Sequence, residues 1–227
     1  MLKRILQRLD QWAVRSAADP HFLWKLFLAA LVLRAGLVLL HFNVHLISDM
    51  LGYHESAVSL LEFGEFRIKG RLSASRPPLY SIFIFIIYYL FGPGNILVVR
   101  LIQSVLGALT AVLTYKLAER VFSAKAGVWA GVIFAFYPAA WGYCDLFLSE
   151  TLFTFLLVAG LIFLVDVPGG KIKDAFFAGL LLGLATLTRT VLFQFPFFLA
   201  LLYLVFSRRR WSYLPNLVVF AVTFWMV

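Results

Sequence analysis

Apolar residues in this chain gather in long runs, at roughly 24–41, 79–91, 96–116, 126–141, 146–166, 175–190, 192–206 and 213–227. Most are about as long as a helix must be to cross a hydrocarbon core of ~30 Å. Barrel strands would instead show alternating segments of ~10 residues, and none is visible. Ahead of the first run, Leu2, Ile5, Leu6, Leu9, Trp12 and Ala13 recur at helical spacing with Lys3, Arg4 and Arg8 between them. That pattern predicts an amphipathic helix lying on the membrane surface. The longest polar interruption, 42–78, separates the first two runs and is read as the first outer loop.

The expected fold class is all-α: a polytopic integral membrane protein, a helical bundle of about seven or eight apolar segments. Residues 1–23 form a cytoplasmic amphipathic helix, and 24–227 form the transmembrane module with loop 42–78 carrying interfacial helices. From Met50 to Phe63, the positions Met50, Tyr53, Ala57, Leu60 and Leu61 share one face, which suits a helix on the outer surface with Asp49 as its N-cap.

Composition agrees with the pattern. The 227 residues are 63% hydrophobic and 14% charged, against ~45–50% apolar and ~25% charged in soluble domains. The net charge of +9 is read as topology, because cytoplasmic loops collect Lys and Arg. No basic, aromatic-interleaved soluble domain exists to bind nucleic acid. The single cysteine, Cys144, can form no internal disulfide and no CxxC site. The N-terminus is not a cleavable signal, since its first apolar run begins only near Trp24 and ends without a small-residue cleavage pattern.

Residues 1–25, 116–125, 171–174 and Arg208–Arg210 are the basic stretches that prefer the cytoplasm. Counting crossings then exposes a conflict, because a full crossing by 79–91 throws the last three outside. As a helix that run is only about 20 Å long. A re-entrant 79–91 places every basic stretch on one side. The last segment reaches Val227 with no polar stop, so the sequence reads as cut short at its C-terminus.

Ionisable groups at membrane depth are costly and mark function by default. Here they are Arg34, Arg100, Glu150 and Arg189, with Gln103 as a polar neighbour. Arg76 stands in SRPPLYS, where Pro77 and Pro78 suit a first helical turn and hold Arg76 extended. An arginine fixed at headgroup level beside a helix N-terminus can clamp a phosphate, or can simply snorkel. Glu150 opens its segment with Ser149 as a cap, and its place in the first turn suits the helix dipole. Arg189 could pair with Glu150 or bind an anionic headgroup. Asp145 is nearby and is expected to be more exposed. No cofactor is certain; His41, His45, His54 and Asp49 leave a divalent metal open, though four-residue His spacing is a weak signal.

Taken in order, SDMLGYHESAVSLLEFGEF, SRPPLYSIFIF, VRLIQSVLGALTAVLTYKLAERVF, LSETLFTFLL and GLATLTRT resemble membrane glycosyltransferases of the type C fold. The resemblance is to the protein mannosyltransferase and aminoarabinose transferase branch, and it covers about residues 24–210. It implies transfer of a sugar from a polyprenyl-phosphate donor to an acceptor at the outer face. It implies that Asp49 and Glu150 are the catalytic carboxylates. Arg76 and Arg189 would bind the lipid phosphate or donor headgroup, with Tyr53 and Tyr80 beside them. The implied partners are the polyprenyl-phosphate-sugar, membrane lipid and, for a chain cut short, a partner subunit supplying the remainder. Three positions depart from the family pattern. Met50 stands where many relatives have an acidic residue, Ser75-Arg76 where some have Glu-Lys, and Thr190 where others have proline. Two further readings stay open: a non-catalytic module that binds lipid-linked sugar, and a transporter or flippase.

Overall fold

A computed structural model of the chain describes residues 2–167, 171–206 and 214–227. The basic stretch Arg208–Arg210 lies outside the described residues. The helices in chain order are α1 (Leu2–Ala18), α2 (Phe22–Leu40), α3 (Asp49–Phe63), α4 (Pro78–Phe91), α5 (Ile96–Val121) and α6 (Ala124–Phe136). They continue as α7 (Pro138–Asp145), α8 (Glu150–Asp166), α9 (Ile172–Thr188), α10 (Phe195–Phe206) and α11 (Leu214–Met226). A two-residue hairpin, β1 (Arg67–Ile68) and β2 (Arg71–Leu72), follows α3. Lys69 and Gly70 both take positive φ between these strands, as a tight two-residue hairpin turn demands.

The expected segments appear with two differences. The run 126–141 is not one helix: it breaks after Phe136, where Pro138 starts α7. Proline cannot donate to the preceding turn, so it opens a new helix instead of continuing the old one. The run 146–166 likewise begins its helix only at Glu150. Among the described residues, α2 and α5 are the helices that are long and apolar enough to cross a bilayer by length and composition.

Side-chain pairs sort the helix ends into two groups. At one end, Lys125 pairs with Asp10 of α1, Arg120 lies 2.5 Å from Asp166, and Asn216 Nδ2 donates to the Val167 carbonyl at 3.1 Å. The end of α5, the start of α6, the end of α8 and the start of α11 therefore meet there, with α1 laid across them. We call this the basic end. At the other end, Arg100 near the start of α5 donates to the His41 carbonyl beyond α2 at 2.9 Å and pairs with Asp145 at the close of α7. Glu150 at the start of α8 pairs with Arg189 just past α9. This is the loop end, and it carries 42–78.

Helix α4 stays at the loop end. It follows the loop directly, its Tyr80 touches Gln103 of α5, its Tyr88 touches His54 of α3, and it finishes four residues before α5 starts there. Its 14 residues span about 21 Å, too short for the ~30 Å core. The stretches 116–125 and 171–174 thus fall at the end where α1 docks.

Small residues let these helices approach. A Cβ on Gly131 would lie 2.8 Å from Leu26 Cδ2, and one on Gly183 would lie 2.8 Å from the Phe224 carbonyl oxygen. Close backbone approach of this kind substitutes for the hydrophobic drive that lipid removes. Ala30, Ala108, Ala111 and Ala135 are buried where α2, α5 and α6 meet. A second cluster, from Met50, Tyr53 and Ala57 of α3 through Tyr80, Ile84 and Tyr88 of α4 to Val99 and Phe147, seats the loop helices on the bundle.

Candidate active site at the loop end

The order of burial along α3 follows its sequence. Met50, Tyr53 and Ala57 are buried, while Asp49 opens the helix with its carboxylate two-thirds exposed. The expectation that Asp49 is the N-cap is corrected: Ser48 holds that position, and Asp49 is the first helical residue. Its carboxylate instead accepts from Arg76. Arg76 Nη2 donates to Asp49 Oδ1 at 2.8 Å and Nη1 donates to the Asp49 carbonyl at 3.2 Å. The guanidinium also sits over the Tyr53 ring, 5.0 Å from its centre.

Local sequence dictates this arrangement. Pro77 sits at φ −56° and ψ 136° as the residue before α4, and Pro78 starts the helix. Both rings fix their own φ, which suits the entry to α4 directly after Arg76. A glycine receives it: a Cβ on Gly52 would lie 2.5 Å from Arg76 Cζ, within the guanidinium. Glycine inside a helix costs about 1 kcal/mol relative to alanine, and here its bare backbone makes the bed for an arginine.

Tyr53 links this pair to the start of α8. Its hydroxyl donates to Ser149 Oγ at 3.4 Å, and its ring meets the Tyr80 ring edge-on at 4.8 Å. Ser149 occupies the N-cap of α8, but its side chain makes no capping bond. The next residue, Glu150, accepts at Oε1 from Arg189, whereas its Oε2 is buried with no hydrogen-bond partner. The structure thus brings Asp49, Arg76 and Tyr53 together, and Glu150 with Arg189, and joins the two groups through Tyr53 and Ser149.

Tyr80, expected beside the ligand-binding residues, turns inward. It is fully buried, and its hydroxyl donates to Gln103 Oε1. Gln103 in turn donates to the carbonyls of Leu146 at 2.8 Å and Cys144 at 3.2 Å, pinning the α7–α8 turn to α5. Tyr80 therefore supports the site from beneath.

Asp145 is also corrected: it is 8% exposed, not solvated. Fully buried Arg100 pairs with Asp145 Oδ1, donates through Nε to the Asp145 carbonyl at 2.7 Å, and reaches the His41 carbonyl. His41 Nδ1 lies 3.0 Å from Asp145 Oδ2. A buried carboxylate needs such pairing, and the pairing locks the ends of α2 and α7 onto α5. Arg34, likewise fully buried, donates to the carbonyls of Ala30 and Ala135, each at 3.1 Å, and of Phe134 at 3.3 Å. Two of these, Phe134 and Ala135, close α6 ahead of the break at Pro138.

The expected metal candidates disperse. Asp49 goes to Arg76, His41 to Asp145, and His54 Nδ1 lies 2.8 Å from the Tyr88 hydroxyl. No group of three or more His, Cys, Asp or Glu side chains suited to an ion occurs among the described residues. Burial lowers the His54 pKa from its ordinary value, against a smaller raising effect from Glu55.

Sequence reasoning missed Gly52 as part of the Arg76 seat. The available signal was a glycine inside an amphipathic helix, one turn from the acidic residue. It also missed the bracing roles of Arg100 and Gln103, which depend on which helices become neighbours.

Comparisons with known proteins can now be set beside this geometry. No curated protein sequence matches the chain. Its fold is similar to the crystal structure of ArnT from Cupriavidus metallidurans bound to undecaprenyl phosphate, with a TM-score of 0.71 and 19% identity. The similarity covers 92% of this chain and 41% of that one, so the chain spans about two fifths of the length of that relative. Residues 75–227 match the family described as dolichyl-phosphate-mannose-protein mannosyltransferase. That stretch carries Arg76, Glu150 and Arg189 on an α-helical membrane fold, and with it the chain belongs to the dolichyl-phosphate-mannose-protein mannosyltransferase family.

Proposed function

We propose that the chain takes part in transferring a glycosyl group from a polyprenyl-phosphate-linked sugar to an acceptor hydroxyl, at the outer face of the membrane. The Asp49–Arg76 pair carries this reading. Guanidinium groups have five N–H donors, and Arg76 uses one on each Nη for Asp49, which leaves three for a phosphate. Asp49 holds the guanidinium of the arginine that precedes the N-terminus of α4, where the helix dipole also favours an anion.

The chemistry follows from that pair. A donor phosphate engages the remaining Arg76 donors, draws the guanidinium away from Asp49 and frees the carboxylate. Asp49 then accepts the proton of the acceptor hydroxyl as the new bond to the sugar's anomeric carbon forms. The old anomeric C–O bond breaks with its electrons on the phosphate oxygen, and the polyprenyl phosphate leaves with added negative charge. Arg76 stabilises that charge where it develops. Glu150 is the second carboxylate near the reacting centre, oriented by Arg189.

Orientation rests on the charge asymmetry. The basic stretches 1–25, 116–125 and 171–174 gather opposite the loop, which supports a cytoplasmic N-terminus and an outer loop end. ArnT is described as bound to undecaprenyl phosphate, which supports a polyprenyl phosphate as the lipid here.

The test is a transfer assay in membranes expressing the chain, with radiolabelled polyprenyl-phosphate-sugars, wild type against Arg76→Ala. Label moved by the wild type and lost in the variant is the expected result. Lipid bound in an Arg76-dependent way without transfer would leave a lipid-sugar-binding module, acting alone or with a partner subunit. Binding indifferent to Arg76 would overturn the reading.

A further inference from the structure

Helix α1 is held to the bundle along one strip. Ala13 is buried, the Trp12 ring meets the Trp129 ring at 5.4 Å between centres, and Asp10 pairs with Lys125. Beside that strip the helix is open. Ile5, Leu9 and Trp12 stand at i, i+4 and i+7, a single apolar stripe, and are 45%, 42% and 42% exposed. Arg4, Arg8 and Arg15 stand at i, i+4 and i+11, one row along the other edge of the stripe at 3.6 residues per turn. All three are exposed, and none is in an ion pair among the described residues. Asp10, the one carboxylate of α1, is already taken by Lys125.

The chain itself fixes what faces this open side. Asp19, Pro20 and His21 are the whole link to α2, which is long and apolar enough to cross the bilayer. Three residues reach about 10 Å when extended, so α1 lies where α2 enters the membrane. Trp24, in the first turn of α2, is 61% exposed, as suits an aromatic ring at the headgroup level. An apolar stripe edged by arginines matches the boundary between acyl chains and headgroups, with long cationic side chains reaching outward. Three like charges in a row repel one another, and negative headgroups relieve that repulsion where zwitterionic ones add no net charge.

We propose that α1 is a binding site for anionic phospholipids of the leaflet at the basic end. Ile5, Leu9 and Trp12 sit among the upper acyl chains, and Arg4, Arg8 and Arg15 engage the headgroup phosphates. The site lies at the opposite end of the bundle from Arg76 and does not depend on the glycosyl-transfer reading.

The experiment uses the whole chain in phosphatidylcholine vesicles, with a fluorophore attached at Gln7→Cys, an exposed position on α1; Cys144 is buried and stays in place. The quenchers are phosphatidylglycerol and phosphatidylcholine, each carrying a nitroxide near the top of one acyl chain. Three labelled proteins are compared: the chain otherwise unchanged, a triple variant with Arg4→Gln, Arg8→Gln and Arg15→Gln, and a control with Lys171→Gln and Lys173→Gln, cations of the same end outside α1. In the first, phosphatidylglycerol should quench at about a fivefold lower mole fraction than phosphatidylcholine, the scale of one arginine at a membrane surface. The triple variant should respond to both lipids alike, and the lysine control should keep the preference. Equal quenching by the two lipids in the first protein overturns the site. A preference that survives the triple variant, or that disappears equally in the lysine control, assigns it to the general charge of the basic end and overturns the role of α1. Failure of both lipids to quench places α1 off the membrane surface and overturns the proposal outright. No readout involves transfer, so the loop-end reading stands or falls separately.

Discussion

Arg76 Nη2 lies 2.8 Å from Asp49 Oδ1, although 27 residues separate the two in sequence. The contact joins the start of α3 to the start of α4 at the loop end of the bundle. An arginine held by a carboxylate is already oriented for an anion, and the carboxylate draws on the same guanidinium charge.

Competition of that kind gives a sign. Asp49→Asn removes the negative charge and keeps the shape, so polyprenyl phosphate should bind more tightly than to wild type, by about two- to fivefold for an exposed pair worth up to ~1 kcal/mol. Transfer should fall by at least about a hundredfold, the contribution of a positioned general base. Titration with polyprenyl phosphate and a parallel transfer assay read the two effects. Weaker binding in the variant would show that Asp49 holds Arg76 in place instead of competing for it.

Gly52→Ala separates stability from function. Alanine favours a helix by about 1 kcal/mol over glycine, yet its Cβ would fall within the Arg76 guanidinium. The variant should therefore melt at or above the wild-type temperature while binding polyprenyl phosphate as poorly as Arg76→Ala. Unchanged affinity would mean that Arg76 reaches its ligand from another direction.

The Arg100–Asp145 pair should matter to folding more than to chemistry. Arg100→Met leaves Asp145 buried without its cation, a loss of about 3–5 kcal/mol for buried pairs. Adding Asp145→Leu should recover much of that loss, since the uncompensated charge is gone. Thermal unfolding in detergent of the two single variants and the double variant measures the coupling, and simple additivity would argue against it.

His54 gives the loop a pH dependence. Burial holds its folded pKa below the ordinary value of 6.5, so the unfolded loop binds the proton more readily. Stability is full above 6.5 and declines as pH falls through that value toward the lower folded pKa. Protection factors along α3, which remove the intrinsic fall of amide exchange with pH, should therefore decrease below pH 6.5 in the wild type. His54→Gln should flatten the profile, and the same pH response in that variant would assign it to another group.

The apolar runs by themselves determined that the chain is a helical membrane protein, because each run's length and composition are set locally by the thickness of the bilayer. The Pro77-Pro78 pair determined where α4 starts, since ring closure fixes φ without help from neighbours. The shortness of the 79–91 helix was legible too. Tertiary structure decided the rest. That Asp145 is buried, that Tyr80 turns inward to Gln103, and that Gly52 lies under Arg76 all depend on which helix faces which, and a helix presents a full circle of directions that its own sequence leaves unranked when it is apolar on every side. Glu150 shows the division most clearly. Its place in a first helical turn could be read from the chain, but its pairing with Arg189 exists only once α8 and α9 have come side by side.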